Sequence, residues 1–465
     1  MEMGCPAASG DKIICRMAFL RGKSSRMFLL ITMAGFLLRL AAVIVLKSYE
    51  DPLLYEHGVI ARNLLDGNGF SVVILTPPPR PTSQQTPLYP GLIAALWMVF
   101  GEGRLSMFLL QTLQAALGGL VCGFLYLLAE DMLGRTPGIW AGSVAAFYPP
   151  FIYTATHVQV VSLVLFFLAA ASFCFWRGIS SPRDWKWWAG GGILLGLGIL
   201  TDPILMAVAP VFPGLLLLQT RDIKRSFQNG AIAAATVLLI LSPWTIRNRI
   251  VHGRFVLVKC TFWYTFWQGN NEKSIGTDKL LTGDPESYRI SVPIWDLKGT
   301  NEFILRQRDR TMPVENTLSE DFLKKLAPMS EIEKNEEMKK LALAFLRDHP
   351  DQYVHLCLNR LKFFLWTDPT NPKAYHPLYR GSYLLLVLLA APGLIMVCLK
   401  HNWRAIVFCA AVAGTIAVVH ILIIYAVRFR LPCEMFYTIF AGATVGAVLS
   451  FISRFIIPEA RRTPE

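Results

Sequence analysis

The chain has 465 residues, of which 54% are hydrophobic and only 17% are charged. A soluble protein usually has about a quarter of its residues charged. The apolar residues occur in long runs, so composition excludes a soluble globular protein, a disulfide-rich secreted scaffold, a fibrous protein and a disordered chain. It predicts an all-α polytopic membrane protein. The formal net charge of +13 is typical of cytoplasmic helix ends in such proteins, so we do not expect nucleic-acid binding.

The nine cysteines are scattered along the chain, and most of them lie inside apolar runs. None forms a C-x-x-C pair or stands near a cluster of histidines. We therefore expect neither a disulfide framework nor a zinc site or other metal site.

Ten apolar runs predict the transmembrane helices. The first, residues 27–47, follows a basic segment and has no cleavage site after it, which predicts an uncleaved signal anchor with a cytoplasmic N-terminus. About 20 residues are needed to cross the membrane core, and runs of this kind begin near residues 105, 136, 157, 187, 203, 228, 379, 404 and 432. The stretch 187–219 fits one broken span or two complete ones. The short stretch 87–101 fits an interfacial or re-entrant helix, and the count rises if it spans, which gives about 10–12 transmembrane helices.

Clusters of lysine and arginine between the runs set the orientation, because such residues favour the cytoplasmic side. Ten spans place every cluster inside. The resulting division is a cytoplasmic N-terminus (1–26), a first transmembrane helix (27–47), a first outer loop with juxtamembrane helices (48–104), a transmembrane bundle (105–245), a small outward-facing soluble segment (246–378), C-terminal transmembrane helices (379–456) and a cytoplasmic tail (457–465).

Asp51 is the first candidate for chemistry, because it opens the first outer loop. The pattern of residues 51–65 predicts a helix that ends at a Gly-Asn-Gly sequence, with Asp51 and Tyr55 on one face. A carboxylate held there could act as a general base on a hydroxyl group. The alternative is that the acidic pair before Pro52 only favours a helix N-terminus.

Arg428 and Arg430 are the second candidates, because two arginines on the outer side depart from the positive-inside trend. A guanidinium group matches a phosphate group in geometry, so a lipid phosphate is one natural partner. The alternative is general binding of lipid head groups or pairing with carboxylates such as Glu434.

Two further charged residues have open roles. Arg39 lies inside the first apolar run, where snorkelling to the interface is the default and pairing with a carboxylate inside the bundle is the alternative. Asp202 lies between two apolar runs and either lines the same outer cavity or caps the helix that begins with Pro203.

Five segments in chain order resemble the GT-C membrane glycosyltransferases, in particular the glycosyltransferase family 39 type, which includes protein O-mannosyltransferases and the lipid A aminoarabinose transferase. The segments are residues 48–70 with Asp51 and Tyr55, residues 86–90 (TPLYP), residues 243–248 (PWTIRN) followed by Gln268, Gly269 and Asn270, residues 349–364 with His349, Tyr353 and Arg360, and residues 428–432 (RFRLP).

The resemblance implies a GT-C fold and an inverting transfer of a sugar from a polyprenyl-phosphate donor to a hydroxyl group on a lipid, glycan or protein. It implies an integral membrane protein, multi-pass, in a bacterial inner or plasma membrane, with its active site on the outer face. By position, Asp51 becomes the catalytic base that deprotonates the acceptor, and the two arginines stabilise the leaving phosphate. No cofactor is required, because the arginines could replace a divalent cation. The candidate substrate-binding residues are Tyr55, Glu56, Asp202, Asn270, Arg428 and Arg430.

One feature departs from the family pattern. Many relatives have a second carboxylate after an aromatic-rich Tyr-Pro-Pro stretch, but this chain has no acidic residue between Asp131 and Asp184. Asp202 or Glu56 could take its place. Two other functions stay open: a transporter or flippase of lipid-linked sugars, and a non-catalytic protein of the same fold that binds them.

Overall fold

The structure, a computed structural model, describes residues 23–281, 311–371 and 376–456, together with Gly299. The described part of the chain is mostly helical, with two short antiparallel hairpins. Most of the expected cytoplasmic N-terminus (1–26), the expected tail (457–465) and part of the expected soluble segment lie outside the described residues.

The elements follow each other in the order α1 (Lys23–Leu46), α2 (Tyr55–Leu65), β1 (Ser71–Ile74), β2 (Thr76–Pro81), α3 (Leu88–Phe100), α4 (Arg104–Leu133), α5 (Arg135–Phe147), α6 (Pro149–Thr154), α7 (Val161–Ser180), α8 (Trp185–Ile199), a 3-10 turn (Pro203–Val208), α9 (Val211–Thr220) and α10 (Ile223–His252). The second part comprises α11 (Phe262–Gly269), β3 (Lys279–Leu281), β4 (Thr311–Pro313), a 3-10 turn (Val314–Thr317), α12 (Glu320–Leu326), α13 (Glu331–Asp348), α14 (Pro350–Leu365), α15 (Pro377–Leu399), α16 (Trp403–Leu422), a 3-10 turn (Val427–Arg430) and α17 (Leu431–Ile456).

Eight helical stretches of the described residues are long and apolar enough to cross a membrane. They are Ser24–Leu46, Arg104–Leu133, Val161–Ser180, Pro203–Thr220, Ile223–His252, Pro377–Leu399, Trp403–Leu422 and Val427–Ser453. The expected all-α polytopic architecture is confirmed, and the chain is an integral multi-pass membrane protein.

Two runs expected to span form shorter helices. The run near residue 136 forms α5, with 13 residues, and the run near residue 187 forms α8, with 15. Tyr148 is extended ahead of Pro149, which stops α5 and starts α6, because the residue before a proline avoids the helical region. In the same way Asp202 is extended ahead of Pro203, so the stretch 187–219 consists of two separate helical pieces.

Small residues let the apolar helices pack closely. A Cβ atom at Gly119 of α4 would overlap the carbonyl oxygen of Thr32 in α1, and one at Gly393 of α15 would overlap that of Phe440 in α17. Membrane helices associate through this kind of close backbone approach, because lipid supplies no hydrophobic drive between them.

Arg39 is buried between helices and does not snorkel, so the default expectation was wrong. Only 1% of it is exposed, and its guanidinium donates to the carbonyl oxygens of Gly35 and Ala145, at 2.9 and 3.3 Å. The Gly118 backbone makes room for it, since a Cβ atom there would overlap the guanidinium. Carbonyl oxygens therefore take the role that the alternative expectation gave to a carboxylate.

We call the end of the bundle at which α1, α10 and α16 finish its upper end, and the segment that follows α10 as far as α15 the upper segment. Arg360 of α14 joins the two parts. It is fully buried and donates to the carbonyl oxygens of Ile421 and Leu422 at the end of α16, and to Gly269 at the end of α11. The last carbonyls of a helix have no partner inside it, so Arg360 satisfies groups that would otherwise be buried unpaired.

A second joint is formed at the end of α10. Arg247 donates to the carbonyl oxygens of Thr82 and Phe70 in the first loop, at 2.6 and 3.0 Å, and stacks over Trp244. Trp244 and Asn248 donate in turn to Val258. The PWTIRN segment thereby fixes both the first loop and the start of the upper segment.

We predict that Gly393→Ala destabilises the protein by roughly 1–3 kcal/mol, the usual cost of overpacking, because the new methyl group would overlap the α17 backbone. Gly414→Ala in α16 is the matched control, since nothing lies within 4 Å of a Cβ atom there. Thermal unfolding in detergent measures both. Equal midpoints for the two variants would contradict the close α15–α17 approach.

Candidate active site at the upper end of the bundle

The linker that carries Asp51 contacts two parts of the bundle. Ser48 donates to the carbonyl oxygen of Thr156, just before α7. The Tyr49 ring packs edge-on against Phe108 of α4, with 5.2 Å between ring centroids. Asp51 itself is exposed. The linker thus holds an accessible carboxylate at a fixed point where α1 ends.

The expected helix over residues 51–65 was wrong at its start, because α2 begins at Tyr55. Asp51 therefore does not share a helical face with Tyr55. Pro52 disfavours a helical conformation at Asp51, and Tyr55 has a positive φ of 50°, which breaks the helical path ahead of it. Such a conformation costs energy for a residue with a large side chain.

His57, in the first turn of α2, connects this helix to α3 and α4. Its ring lies edge-on to that of Tyr89, at 5.1 Å. Tyr89 donates to Gln114 at 2.7 Å, and Gln114 donates to the carbonyls of Ala155 and His157. Burial, followed by the positive charges of Lys259 and Arg428, lowers the pKa of His57 to about 3. The imidazole is therefore neutral at physiological pH.

Lys259 is a further cation of the site, and it was not among the candidates from the sequence. It follows directly after Val258, whose carbonyl oxygen is held by Trp244 and Asn248 of α10. The segment before it, residues 255–258, is apolar, and a lone charge in an apolar stretch beside a membrane is a functional candidate. That signal was available in the sequence.

Lys259 lies in a field of mixed charge. Burial lowers its pKa, and the carboxylates of Asp202 and Glu56 oppose that shift. The same Glu56 raises the pKa of Tyr264 in α11, after the larger effects of burial and Glu315. The charges of Glu56 and Asp202, two of the expected binding residues, thus both act on a third residue, from the upper segment.

Arg428 is exposed and faces the same region, since its charge acts on His57. Its guanidinium lies 5.0 Å from the centre of the Phe429 ring, and that ring stacks on His420 at 4.0 Å. The aromatic pair supports the 3-10 turn, so Arg428 projects from a fixed backbone. Of the two arginines in the RFRLP segment, Arg428 is the one with an exposed side chain.

Arg430 is buried, and its side chain is engaged on several sides. It pairs with Glu434 and donates to the carbonyl oxygen of Trp366 at 2.9 Å, while its guanidinium lies over the Tyr383 ring. Glu434 also accepts from Tyr148, at 2.8 Å. We therefore assign Arg430 to holding α5, α14, α15 and α17 together, and not to phosphate binding as expected from the sequence.

Asn270 also has a structural environment. It is fully buried, donates to the carbonyl oxygens of Phe266 and Ile423 at 2.7 and 2.8 Å, and accepts from Arg360 at 3.0 Å. With all these partners it joins α11 to the end of α16 and presents no free group to a ligand.

Asp202 accepts from the Ile204 amide and so caps the following 3-10 turn. The capping alternative is confirmed, and its second role beside Lys259 stays a prediction.

A small cleft adjoins Arg430. It is lined by Trp366, Thr367, Asp368, Tyr379, Arg380, Tyr383, Tyr425, Val427 and Arg430. Burial raises the pKa of Asp368 to about 6, although two bonds from Thr370 oppose this. No group of three or more His, Cys, Asp or Glu side chains among the described residues is arranged to hold a metal ion.

Comparison with known proteins adds a similarity to one family model and a fold. The family model for dolichyl-phosphate-mannose-protein mannosyltransferases matches residues 84–246. A comparison with curated proteins finds no match. The matched region runs from the loop between β2 and α3 to the second half of α10.

Solved structures show a similar architecture. The Archaeoglobus fulgidus oligosaccharyltransferase AglB, in complex with an inhibitory peptide and a dolichol-phosphate, gives a TM-score of 0.56 at 13% identity, over 96% of this chain and 53% of that chain. The chain has the GT-C fold. This confirms the resemblance that the five sequence segments indicated.

Two further structures were matched. The A. fulgidus oligosaccharyltransferase tethered to an acceptor peptide with the NVT sequon gives a TM-score of 0.54 at 12% identity, over 95% of this chain and 52% of that chain. ArnT from Cupriavidus metallidurans bound to undecaprenyl phosphate gives 0.40 at 14% identity, over 96% and 80%. The GT-C chain described here spans about half the length of the A. fulgidus protein.

We predict that the two arginines differ sharply in their effect on stability. Arg430→Ala leaves Glu434 buried and unpaired, which costs roughly 3–5 kcal/mol. Arg428→Ala, at an exposed position, changes stability by no more than about 0.5 kcal/mol. Thermal and denaturant unfolding in detergent give both values. Similar losses in the two variants would contradict the assignment of one arginine to structure and the other to the site.

Proposed function

We propose that the protein is an inverting membrane glycosyltransferase that moves a sugar from a polyprenyl-phosphate donor to an acceptor hydroxyl group at the outer face of the membrane. The observation that carries the proposal is that two cations from separate segments, Lys259 and Arg428, both act on His57 of α2, the helix that follows the exposed Asp51 in the chain. The GT-C fold and the match to a mannosyltransferase family model support it.

The cations suit a leaving phosphate. When the bond between the sugar and the donor phosphate breaks, negative charge grows on the phosphate, and charges placed in advance stabilise that transition state. Lys259 supplies a compact charge and Arg428 a planar one that matches two phosphate oxygens. His57 is neutral, so it adds no third positive charge and can act as a hydrogen-bond partner.

Asp51 takes the role of general base. The acceptor oxygen attacks the anomeric carbon from the face opposite the phosphate, the acceptor proton passes to Asp51, and the bonding electrons leave with the polyprenyl phosphate. Attack from the opposite face inverts the anomeric centre. Glu56 and Asp202 lie near the donor phosphate in this arrangement, where they offset the charge of Lys259 when no donor is bound.

The reaction as proposed needs no divalent cation, because Lys259 and Arg428 neutralise the phosphate. The membrane supplies the donor, and the sugar and the acceptor class are not specified by the described side chains. The dolichol-phosphate in the AglB structure supports a lipid-phosphate ligand for this fold.

We expect Asp51→Asn to abolish turnover, with a loss of roughly 10²–10⁴ in kcat, the usual contribution of a general base. Donor binding should be retained, because Asp51 does not hold the phosphate. Release of polyprenyl phosphate from a panel of lipid-linked sugars, with a chelator present and absent, is the measurement. Asp66→Asn, at the other end of α2, is the control. Unchanged release of polyprenyl phosphate by Asp51→Asn would exclude Asp51 as the general base. If the wild-type protein transports or tightly binds the lipid-linked sugar without releasing polyprenyl phosphate, it is a carrier and not an enzyme.

We expect Lys259→Gln and Arg428→Gln each to weaken binding of polyprenyl phosphate by roughly tenfold to a hundredfold, the range for a lost hydrogen bond to a charged group. Fluorescence or calorimetric titration of the purified protein with polyprenyl phosphate measures the dissociation constant. Lys273→Gln, an exposed lysine of the same segment, should bind like the wild type. Wild-type affinity in both site variants would contradict the phosphate assignment.

A further inference from the structure

Glu331, the first residue of α13, is a buried carboxylate that joins two distant parts of the chain. Only 7% of it is exposed. Its oxygens accept from the Ser83 amide at 3.1 and 3.3 Å, from the Thr82 hydroxyl at 3.2 Å and from the Cys260 thiol at 2.9 Å. One side chain of the upper segment thereby binds the first outer loop and the residue next to Lys259.

Hydrogen bonds hold the residues on either side of Lys259 in the chain. Before it in the chain, Val258 is held to the end of α10 by Trp244 and Asn248. After it, Cys260 is held by Glu331. A lysine between two fixed neighbours has its Cα position set.

Glu331 also contributes charge. Burial raises the pKa of Glu331, although its hydrogen bonds to Cys260, Ser83 and Thr82 and then the charge of Arg247 oppose that shift. Its carboxylate in turn favours the charged form of Lys259, against the burial that lowers the pKa of that lysine. An ionised carboxylate is costly to bury unless it is paired and hydrogen-bonded. The contacts and the two neighbouring cations meet that condition.

Further contacts fix the N-terminus of α13, which carries Glu331. Arg80 of β2 donates to the carbonyl oxygens of Met329 and Pro328, just ahead of α13, at 2.9 and 3.2 Å. Ser330 and Glu333 form a capping box at the start of the helix. The N-terminus of α13 is therefore fixed to the first loop, and Glu331 transmits that fixed position to Cys260.

We propose that Glu331 is a positioning residue for Lys259, which links docking of the upper segment to binding of the donor phosphate. The inference rests on the proposed function, because it takes Lys259 as a phosphate ligand. Glu331 acts through its hydrogen bond from the Cys260 thiol and through its charge, and not by contact with donor or acceptor.

The experiment measures the dissociation constant of polyprenyl phosphate, KM for the donor and kcat for wild type, Glu331→Ala and Glu331→Gln. We expect Glu331→Ala to raise the dissociation constant and KM by about tenfold, in line with the sensitivity of bound geometry to small displacements, and to change kcat at saturating donor by less than about twofold. Glu331→Gln keeps the shape of the side chain and should recover part of the affinity. Glu336→Gln, in an exposed pair on the same helix, is the control and should match the wild type.

A double variant separates positioning from general stabilisation. If Glu331 acts through Lys259, adding Glu331→Ala to Lys259→Gln has little further effect on the dissociation constant, because coupled residues are not additive. A purely structural role would lower the unfolding midpoint and leave the affinity of the folded fraction unchanged, which would overturn the inference. Full additivity in the double variant would overturn it as well. If wild-type protein neither binds nor releases polyprenyl phosphate, the proposed function fails first, and the two failures are thus distinguished.

Discussion

The last carbonyl groups of α16 impose the constraint on which the upper end of the molecule depends. A helix that ends inside a packed, low-dielectric region must find donors for these groups from elsewhere. Arg360, Asn270 and Tyr353 of the upper segment supply them, to the carbonyls of residues 421–423. Gly269 is required at the joint, because a Cβ atom there would overlap the carbonyl oxygen of Ile423. The upper segment is consequently fixed to the bundle by main-chain chemistry, and the turn that carries Arg428 follows only five residues after α16.

The basic residues fall into two groups, which differ in how their charge is satisfied. Arg39, Arg247, Arg360 and Arg430 donate to carbonyl oxygens or carboxylates, and all but Arg247 are buried. Since a buried charge is stable only with partners, these four are part of the scaffold. Arg428 is exposed, whereas Lys259 is half-buried like Arg247, and the charges of Lys259 and Arg428 act on the same imidazole. Within the RFRLP motif, exposure separates Arg430, which holds the structure, from Arg428, which is available to a ligand.

Sequence patterns predicted the membrane architecture well, because the length of an apolar run is a local property. The capping role of Asp202, one of two alternatives in the sequence, is also found. Sequence patterns do not show long-range contacts. Asn270 was expected to bind substrate, and the structure adds its bond to the carbonyl oxygen of Ile423, 153 positions away. For Arg430 the alternative of pairing with Glu434 is confirmed. The start of α2 was missed for a local reason, since Pro52 and the positive φ of Tyr55 delay the helix by four residues.

Assembly of the site from separate segments explains why no single motif identifies it. Glu56 comes from α2, Asp202 from the break after α8, Lys259 from the irregular stretch after α10 and Arg428 from the turn before α17. On the proposed function, burial disfavours the positive charge of Lys259 in an empty site, and the carboxylates of Asp202 and Glu56 oppose that effect. A donor phosphate would then take over the same task from Glu56 and Asp202. Many relatives have a carboxylate where this chain has none, between Asp131 and Asp184. Its absence fits this arrangement, because the carboxylates of Asp202 and Glu56, from other segments, already act on Lys259.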